Sequence, residues 1–153
     1  MKKQSGLLRR LTALALALCM LAALTAEIFA ADTVASGYCG SEGDGKNLTW
    51  TLDSEGVLTI SGLGKMKDYE NDNKNRAPWY SSRKSLKKLV LKSGITSIGD
   101  YAFFDCSNLT GDLKIPSNVH SIGENAFGYC SGFNGSLTIE NGVVEIKKYA
   151  FYH

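Results

Sequence analysis

Histidine and cysteine are scarce in this chain of 153 residues, which has two histidines and four cysteines. His120 and His153 form no pair, and no cysteine accompanies either at the spacing of zinc ligands, so no zinc site is predicted. No pattern brings a serine, a histidine and an acid together as a catalytic triad. We therefore predict neither catalytic residues nor a metal or cofactor site, and expect His120 to be a surface residue.

Long apolar runs are also scarce, and the one present lies near the N-terminus. It extends from Leu11 to Leu24, and its 14 residues are fewer than the roughly 20 that span a bilayer. Small residues follow it, and four basic residues precede it: Lys2, Lys3, Arg9 and Arg10. This order predicts a secretory signal peptide over residues 1–30, cleaved after Ala30 or else after Ala26. An uncleaved anchor is the alternative interpretation.

The mature chain has little net charge. Without residues 1–30, thirteen basic and fourteen acidic residues remain, a net charge of −1. Three cysteines also remain, which are too few for a disulfide scaffold and leave at least one thiol without an intramolecular partner. We expect a single secreted or cell-surface domain, with no membrane insertion after the leader is removed and no nucleic-acid partner.

The segment before residue 85 predicts a β-hairpin. Residues 31–47 are rich in Gly, Ser and Asp and are interpreted as a lead-in. Leu48–Leu52 alternates apolar and polar residues, Asp53–Gly56 has turn composition, and Val57–Ile60 is a second short strand. The hairpin and the polar loop that follows it make up residues 48–84, where Ala77–Tyr80 returns the chain to the core.

Residues 85–153 repeat with one fixed interval. Unit 1 begins with Leu89–Cys106, unit 2 with Leu113–Cys130 and unit 3 with Leu137–His153, where the third copy is cut short. Five columns of residues recur every 24 positions: Leu89, Leu113, Leu137; Ile95, Val119, Val143; Ile98, Ile122, Ile146; Ala102, Ala126, Ala150; and Phe103, Phe127, Phe151. A fixed period in the twenties predicts a solenoid.

Each unit predicts a strand, a turn, a second extended segment and a helical turn. Leu89 and Leu91 face inward, as do Ile95 and Ile98, while Gly99 is expected to permit a sharp bend before a helical turn over residues 100–103. About six buried side chains at roughly 2 kcal/mol each do not offset the entropy of ordering about 24 residues. One unit is therefore unstable alone, and stacking must bury both of its flat faces.

These residues resemble the BspA-type leucine-rich repeats of bacterial secreted and surface proteins. The recurring elements are I-x-x-I-G, then A-F, then Cys, as in Ile95–Cys106. The hairpin and Ala77–Tyr80 resemble the N-terminal cap of such proteins. The resemblance implies a right-handed solenoid used in adhesion or binding, without catalytic residues. Two departures are a period one residue longer, with Gly111 and Gly135 as the added position, and Lys147 in place of the glycine.

Cys106 and Cys130 share one repeat position, so adjacent units place them about 5 Å apart. That distance permits a disulfide. A ladder of buried thiols is the favoured alternative, because stacked side chains point in parallel. Cys39 has no predicted partner.

Two charged stretches are interpreted as solvated surface. Asp68, Glu70 and Asp72 alternate as in a calcium loop, but Asn73 and Trp79 occupy the positions of its glycine and closing glutamate. The stretch 74–92 has seven basic residues, two aromatic residues and no acid. An anionic cell-wall polymer or glycan is the lesser alternative for it.

A mainly β solenoid predicts one binding surface, the outward face of its strands. That face comprises Lys88, Val90, Lys92, Asp112, Lys114, Ser136, Thr138 and Glu140, with Pro116 beside them. We expect its ligand to be a protein or glycan at the cell surface. The alternative is a structural role, as the N-terminal part of a longer surface protein or exported enzyme.

Overall fold

The computed structural model describes residues 31–153, and the predicted leader at residues 1–30 lies outside them. Thr33–His153 is one compact unit. Its strands are β1 (Thr33–Tyr38), β2 (Leu48–Asp53), β3 (Val57–Gly62), β4 (Gly64–Lys65), β5 (Lys88–Leu91), β6 (Ile95–Ile98), β7 (Leu113–Ile115), β8 (Ser121–Ile122), β9 (Leu137–Ile139) and β10 (Glu145–Ile146). One 3-10 turn, Tyr80–Ser82, is the only helix in the described residues. The predicted mainly β class is confirmed.

The predicted hairpin is formed by β2 and β3, which pair antiparallel from Leu48↔Gly62 to Leu52↔Leu58. Asp53 shapes the turn, because its Oδ1 accepts hydrogen bonds from the main-chain N–H groups of Glu55 and Val57. Alternate residues of both strands are buried, as the period-2 pattern predicts.

The segment 31–47 differs from the predicted lead-in, because it contains β1. This strand pairs antiparallel with β2, although most of its side chains are exposed. Main-chain hydrogen bonds rather than apolar burial hold it, which is why its composition did not reveal it. Gly37 is needed there, since a Cβ at this position would lie 2.9 Å from Nε1 of Trp50.

The remaining strands pair in parallel with strands of the next unit. β6, β8 and β10 form one ladder with β4, and β7 pairs with β9. Partners such as Ile98↔Ile122 and Leu113↔Leu137 are 24 residues apart, in agreement with the sequence interval. β5 instead pairs in parallel with β3 of the hairpin, so the hairpin supplies the strand on which unit 1 stacks.

A column of stacked rings runs through the core. The centroid of Trp79 lies 5.5 Å from that of Phe103, Phe103 lies 5.1 Å from Phe127, and Phe127 lies 5.3 Å from Phe151. The planes of each pair are within 18° of parallel. Nε1 of Trp79 also donates a hydrogen bond of 2.8 Å to the carbonyl of Ala102. Trp79 thus extends the column of phenylalanine rings into the segment before the repeats.

The repeated glycines have a different role from the predicted bend. Neither Gly99 nor Gly123 has a positive φ. A Cβ on Gly99 would lie 1.9 Å from the carbonyl oxygen of Lys67, and one on Gly123 would lie 2.4 Å from the main-chain nitrogen of Asp100. These glycines are required because the turn of each unit contacts the backbone of the preceding one.

The segment after each of these glycines is a turn rather than the predicted helical turn. The second residue of this turn has left-handed backbone, with φ of +52° at Tyr101 and +50° at Asn125, and Tyr149 at the equivalent position of unit 3 has a φ of +60°. Left-handed residues interrupt a right-handed helix. Ala102 and Phe103 nevertheless point inward and are buried, as predicted.

Unit 3 leaves apolar side chains in contact with solvent. Leu137, Ile139 and Ile146 are exposed, whereas Leu113, Ile115 and Ile122 of unit 2 are buried. β9 and β10 are the edge strands of their sheets. The core is therefore densest in units 1 and 2 and becomes thinner towards unit 3.

Asp105 joins unit 1 to the segment before it. Its Oδ2 accepts a hydrogen bond of 2.9 Å from Nε of Arg83, and its Oδ1 accepts one of 2.8 Å from Nζ of Lys84. Partial burial on its own would raise the pKa of Asp105, but the hydrogen bonds from Lys84 and Arg83 outweigh it, so the pKa is lowered.

Replacing Phe127 by alanine is expected to lower the free energy of unfolding by about 3–5 kcal/mol, because the ring is buried between two others. Urea denaturation followed by circular dichroism measures this loss. Val144→Ala is the control, since that side chain is 85% exposed and its loss should change stability by less than about 0.5 kcal/mol. Equal effects of the two substitutions would contradict the stacked core.

Asp105→Asn is expected to destabilise the protein by roughly 1 kcal/mol at pH 7, since it removes a charge-assisted contact with two cations. Because the pKa of Asp105 is lower in the folded protein, its ionised form stabilises the fold at pH values above the unfolded-state pKa of about 3.9. This stabilisation is lost as the pH falls through the folded-state pKa. The two proteins should thus converge in stability below about pH 4. Asn tolerates the positive φ at this position.

Thermal unfolding from pH 7 to pH 2.5 checks this convergence. Asp44→Asn is the matched control, because Asp44 pairs with Lys46 on the exposed surface, and no measurable change is expected. A difference between wild type and Asp105→Asn that stays constant across the acid range would contradict the role given to this carboxylate.

Candidate ligand-binding face

The candidate face is built from alternate residues of β5, β7 and β9. In β5, Lys88 is exposed while Leu89 is buried, and in β7 Lys114 is exposed between buried Leu113 and Ile115. Because side chains alternate along a strand, the residues between the core positions point away from the core. The structure thus places the predicted lysines of these two strands outward.

The face is divided between β5 and β7. β5 belongs to the sheet of the hairpin and β7 pairs only with β9, so no ladder joins β5 to β7 within residues 31–153. The outward residues of β5 and β7 therefore belong to two separate sheets.

An extra residue contributes to this division. Two residues separate Leu86 from Leu89, whereas three separate Leu109 from Leu113. The additional residue is accommodated at Gly111, which has a φ of +78° and open space around it. Unit 3 has the same spacing as unit 2, so β7 and β9 remain in register.

Pro116 contributes as well. The main-chain N–H of Glu140 donates to the carbonyl of Ile115, and the equivalent donor for Leu91 would be residue 116. Pro116 has no N–H to donate. The N–H groups of Lys88 and Lys92 donate to the hairpin, at the carbonyls of Gly56 and Ile60. Because main-chain groups alternate in direction along a strand, those of Leu91 point the other way, towards the gap.

A depression of about 470 Å³ lies at this division. Six of the eight predicted residues line it: Lys88, Val90, Lys92, Asp112, Lys114 and Glu140. Pro116 also lines it but is buried rather than outward, while Thr138 of β9 and Ser136, just before that strand, lie outside it. Ser93 and Ser117 line it too and were missed, because each lies in the turn after a strand and nothing in its composition marks it.

The charges of this depression are only partly paired. Nζ of Lys114 lies 2.7 Å from Oε1 of Glu140, and this hydrogen bond lowers the pKa of Glu140. Oδ1 of Asp112 accepts a hydrogen bond of 2.7 Å from the main-chain N–H of Ser136. Lys88 and Lys92 have no ion pair among the described residues, so positive charge predominates along β5.

This arrangement can bind polar or anionic groups through ammonium, hydroxyl and main-chain donors. In residues 31–153 no group of three or more His, Cys, Asp or Glu side chains is placed to hold a metal ion.

The three described cysteines are free and buried. Sγ of Cys130 donates towards the carbonyl of Phe103 at 3.0 Å, and Sγ of Cys106 lies 3.9 Å from the carbonyl of Phe104. Burial raises the pKa of the Cys39 and Cys130 thiols to about 12, and it raises that of Cys106 as well. Such thiols pack as small apolar groups and are poor nucleophiles.

Several groups of the two charged stretches make contacts within the protein. Oδ1 of Asp72 accepts from the N–H groups of Lys74 and Asn75, which shapes the acidic loop. In the basic stretch, the guanidinium groups of Arg76 and Arg83 each lie 4.0 Å from the ring centroid of Tyr80. Several of its cations thus make contacts within the protein.

His120 is exposed, as expected. Within residues 31–153, no helix has the length and apolar character needed to cross a bilayer.

Comparisons with known proteins identify the repeats. The family described as BspA type leucine rich repeat region (6 copies) matches residues 77–153, which is half of the chain. A leucine-rich repeat protein from Eubacterium ventriosum ATCC 27560 has a similar structure, with 35% identity and a TM-score of 0.60 over 73% of this chain. This chain spans only 28% of that protein.

A leucine rich cell surface protein from Faecalibacterium prausnitzii A2-165 is more distant, with 17% identity and a TM-score of 0.38. The match covers 79% of this chain and 47% of that protein. No curated protein matches the chain.

The burial of the thiols predicts their reactivity. In protein lacking residues 1–30, none of the three cysteines should react with Ellman's reagent in the native state, even at pH 9, because burial keeps them protonated. All three should react after denaturation in guanidinium chloride. One reactive thiol in the denatured, unreduced protein would instead reveal a disulfide, and rapid reaction of native protein would contradict their burial.

Proposed function

The chain belongs to the family of BspA type leucine-rich repeat regions, and from that premise we propose that it is an exported, non-catalytic binding or adhesion module. Its ligand is a protein or glycan at a cell surface. The export of the chain is supported by the order of basic, apolar and small residues in its first 30 positions.

The architecture in this proposal is a right-handed solenoid with 24-residue repeats. It is supported by the parallel pairings 24 residues apart and by the column of stacked rings. The hairpin β2–β3 acts as the N-terminal cap. Its strand β3 pairs with β5, and Trp79 covers the ring of Phe103, so the first repeat has no open edge on that side.

The observation that carries the binding function is the depression between β5 and β7. A solenoid exposes a repeated surface, and recognition needs a place where that surface departs from its repetition. Here the gap between two strands exposes main-chain groups of Leu91, with Lys88 and Lys92 on its rim. Lysine ammonium groups and free main-chain groups bind carboxylate and hydroxyl groups, which surface glycans and acidic protein segments both provide.

The chemistry of the depression favours a ligand that carries negative charge. Lys114 is already paired with Glu140, which leaves Lys88 and Lys92 to attract an anionic group. Both lysines are exposed, so the attraction should weaken as ionic strength increases. Ser136 and Thr138 lie outside the depression and contribute less than the other predicted residues.

A double charge reversal, Lys88→Glu with Lys92→Glu, tests this face. Binding to the acidic glycans or extracellular-matrix proteins that the wild type recognises on a printed array should fall at least tenfold, because attraction becomes repulsion. The matched control is Lys67→Glu with Lys74→Glu, which makes the same change in net charge at two exposed lysines outside the depression. Binding that is equally weakened by both double variants, or by neither, would contradict the assignment of the face.

A further inference from the structure

A second depression, of about 390 Å³, lies where the turns of units 1, 2 and 3 stack. Its walls are five aromatic rings, those of Tyr101, Phe104, Tyr129, Tyr149 and Tyr152. None of them belongs to the five inward columns, and none lines the depression between β5 and β7. Two amide side chains, Asn71 and Asn125, complete its lining.

A buried glycine holds one position in the column to which two of these rings belong. Phe104, Gly128 and Tyr152 share one repeat position at 24-residue intervals. A Cβ on Gly128 would lie 3.0 Å from Oδ1 of Asn125 and 3.1 Å from Cδ2 of Phe104. A side chain at Gly128 would press on the ring of Phe104, so the glycine permits that ring to pack closely against unit 2.

The rings support one another. Ring centroids lie 5.4 Å apart for Phe104 and Tyr129, 5.7 Å for Tyr129 and Tyr152, and 5.5 Å for Tyr149 and Tyr152. Tyr129 is still 43% exposed, and Tyr149 and Tyr152 are each 50% exposed. These three tyrosines therefore form a preorganised surface that remains accessible to a ligand, which reduces the entropy lost on binding.

The backbone places these side chains in a conformation that tyrosine disfavours. Tyr101, Asn125, Tyr129 and Tyr149 have φ values of +52°, +50°, +59° and +60°. Glycine adopts this region without steric cost, whereas a bulky residue there is an outlier. Large side chains are thus present at turn positions where glycine would be the least strained residue.

The hydrogen-bonding groups of the depression are largely unused within the protein. Nδ2 of Asn125 donates a hydrogen bond of 3.2 Å to the hydroxyl of Tyr101. The hydroxyl groups of Tyr129, Tyr149 and Tyr152 and the amide of Asn71 make no hydrogen bond with another described side chain or main-chain group. They can exchange hydrogen bonds with a ligand.

No charged side chain lines the depression, in contrast to the one between β5 and β7. Nζ of Lys148 lies 4.6 Å from the ring centroid of Tyr149, so the nearby cation is already in contact with a ring. The site therefore fits a neutral ligand with both an apolar face and many hydroxyl groups.

We propose that this aromatic depression is a binding subsite for a neutral sugar residue of a glycan. The C–H face of a pyranose ring packs against a tyrosine ring, and its hydroxyl groups bond to phenol and amide groups. Tyr101 and Tyr149 are two units apart, roughly 10 Å at the strand spacing, which gives room for one or two sugar rings. A proline-rich peptide also uses aromatic grooves, but the four phenol groups and two amides favour a ligand rich in hydroxyl groups.

Titration with neutral oligosaccharides tests the subsite. The probes are cellohexaose, xylohexaose, mannohexaose and chitohexaose, with a decamer of proline as the competing class, each followed by calorimetry and by the NMR shifts of the tyrosine rings. At least one oligosaccharide should bind, and Tyr129→Ala and Tyr152→Ala should each weaken it at least tenfold. Tyr152→Phe, which keeps the ring and loses the hydroxyl, should have a smaller effect.

Tyr38→Ala is the matched control, because Tyr38 is 56% exposed on β1 and lies outside both depressions. Thermal unfolding of every variant identifies loss of binding that comes from loss of folding. The double charge reversal at Lys88 and Lys92 should leave the neutral oligosaccharide bound with unchanged affinity, so failure of this subsite is separable from failure of the proposed strand face. The proposal is overturned if no oligosaccharide binds at millimolar concentration, if only the proline peptide binds, or if Tyr38→Ala weakens binding as much as Tyr152→Ala.

Discussion

The stacking of one aromatic ring on the next is the interaction on which the rest of this structure depends. A period of 24 residues places Phe103, Phe127 and Phe151 in register, and Trp79 extends the same column into the segment before the repeats. Rings about 5 Å apart require backbones equally close, which explains why Gly99 and Gly123 cannot carry a Cβ. The strand pairings of β6, β8 and β10 follow from that contact distance.

The depression between β5 and β7 arises where this regularity is interrupted without disturbing the ring column. Gly111 accommodates an extra residue and Pro116 lacks a donor, and together they separate β5 from β7. In the outer aromatic positions, Gly128 permits the ring of Phe104 to pack closely against unit 2. The core residues beside the interruption between β5 and β7, such as Leu89 and Leu113, nevertheless stay buried.

The inward residues could be predicted from the sequence because they recur, and recurrence reflects a local requirement that every unit shares. The hairpin was predictable for a similar reason, since Asp53–Gly56 and the alternation around it are local signals. β1, the division of the strand face and the role of Gly99 were not predictable. Each depends on a contact between segments that are distant in sequence. β1 pairs with the edge of β2, and Gly99 lies against the carbonyl of Lys67. The separation of β5 from β7 depends on the different spacing that follows Leu86 and Leu109.

Stability and recognition depend on different residues of each unit. Recurring positions point inward, and a substitution such as that of Phe127 leaves a cavity between two other rings. Non-recurring positions, among them Lys88, Lys92, Tyr129 and Tyr152, project outward, where most substitutions change stability by less than about 0.5 kcal/mol. Two surfaces with different charge can therefore bind different ligands on one stacked core. Substitutions on either surface leave the core that supports both intact.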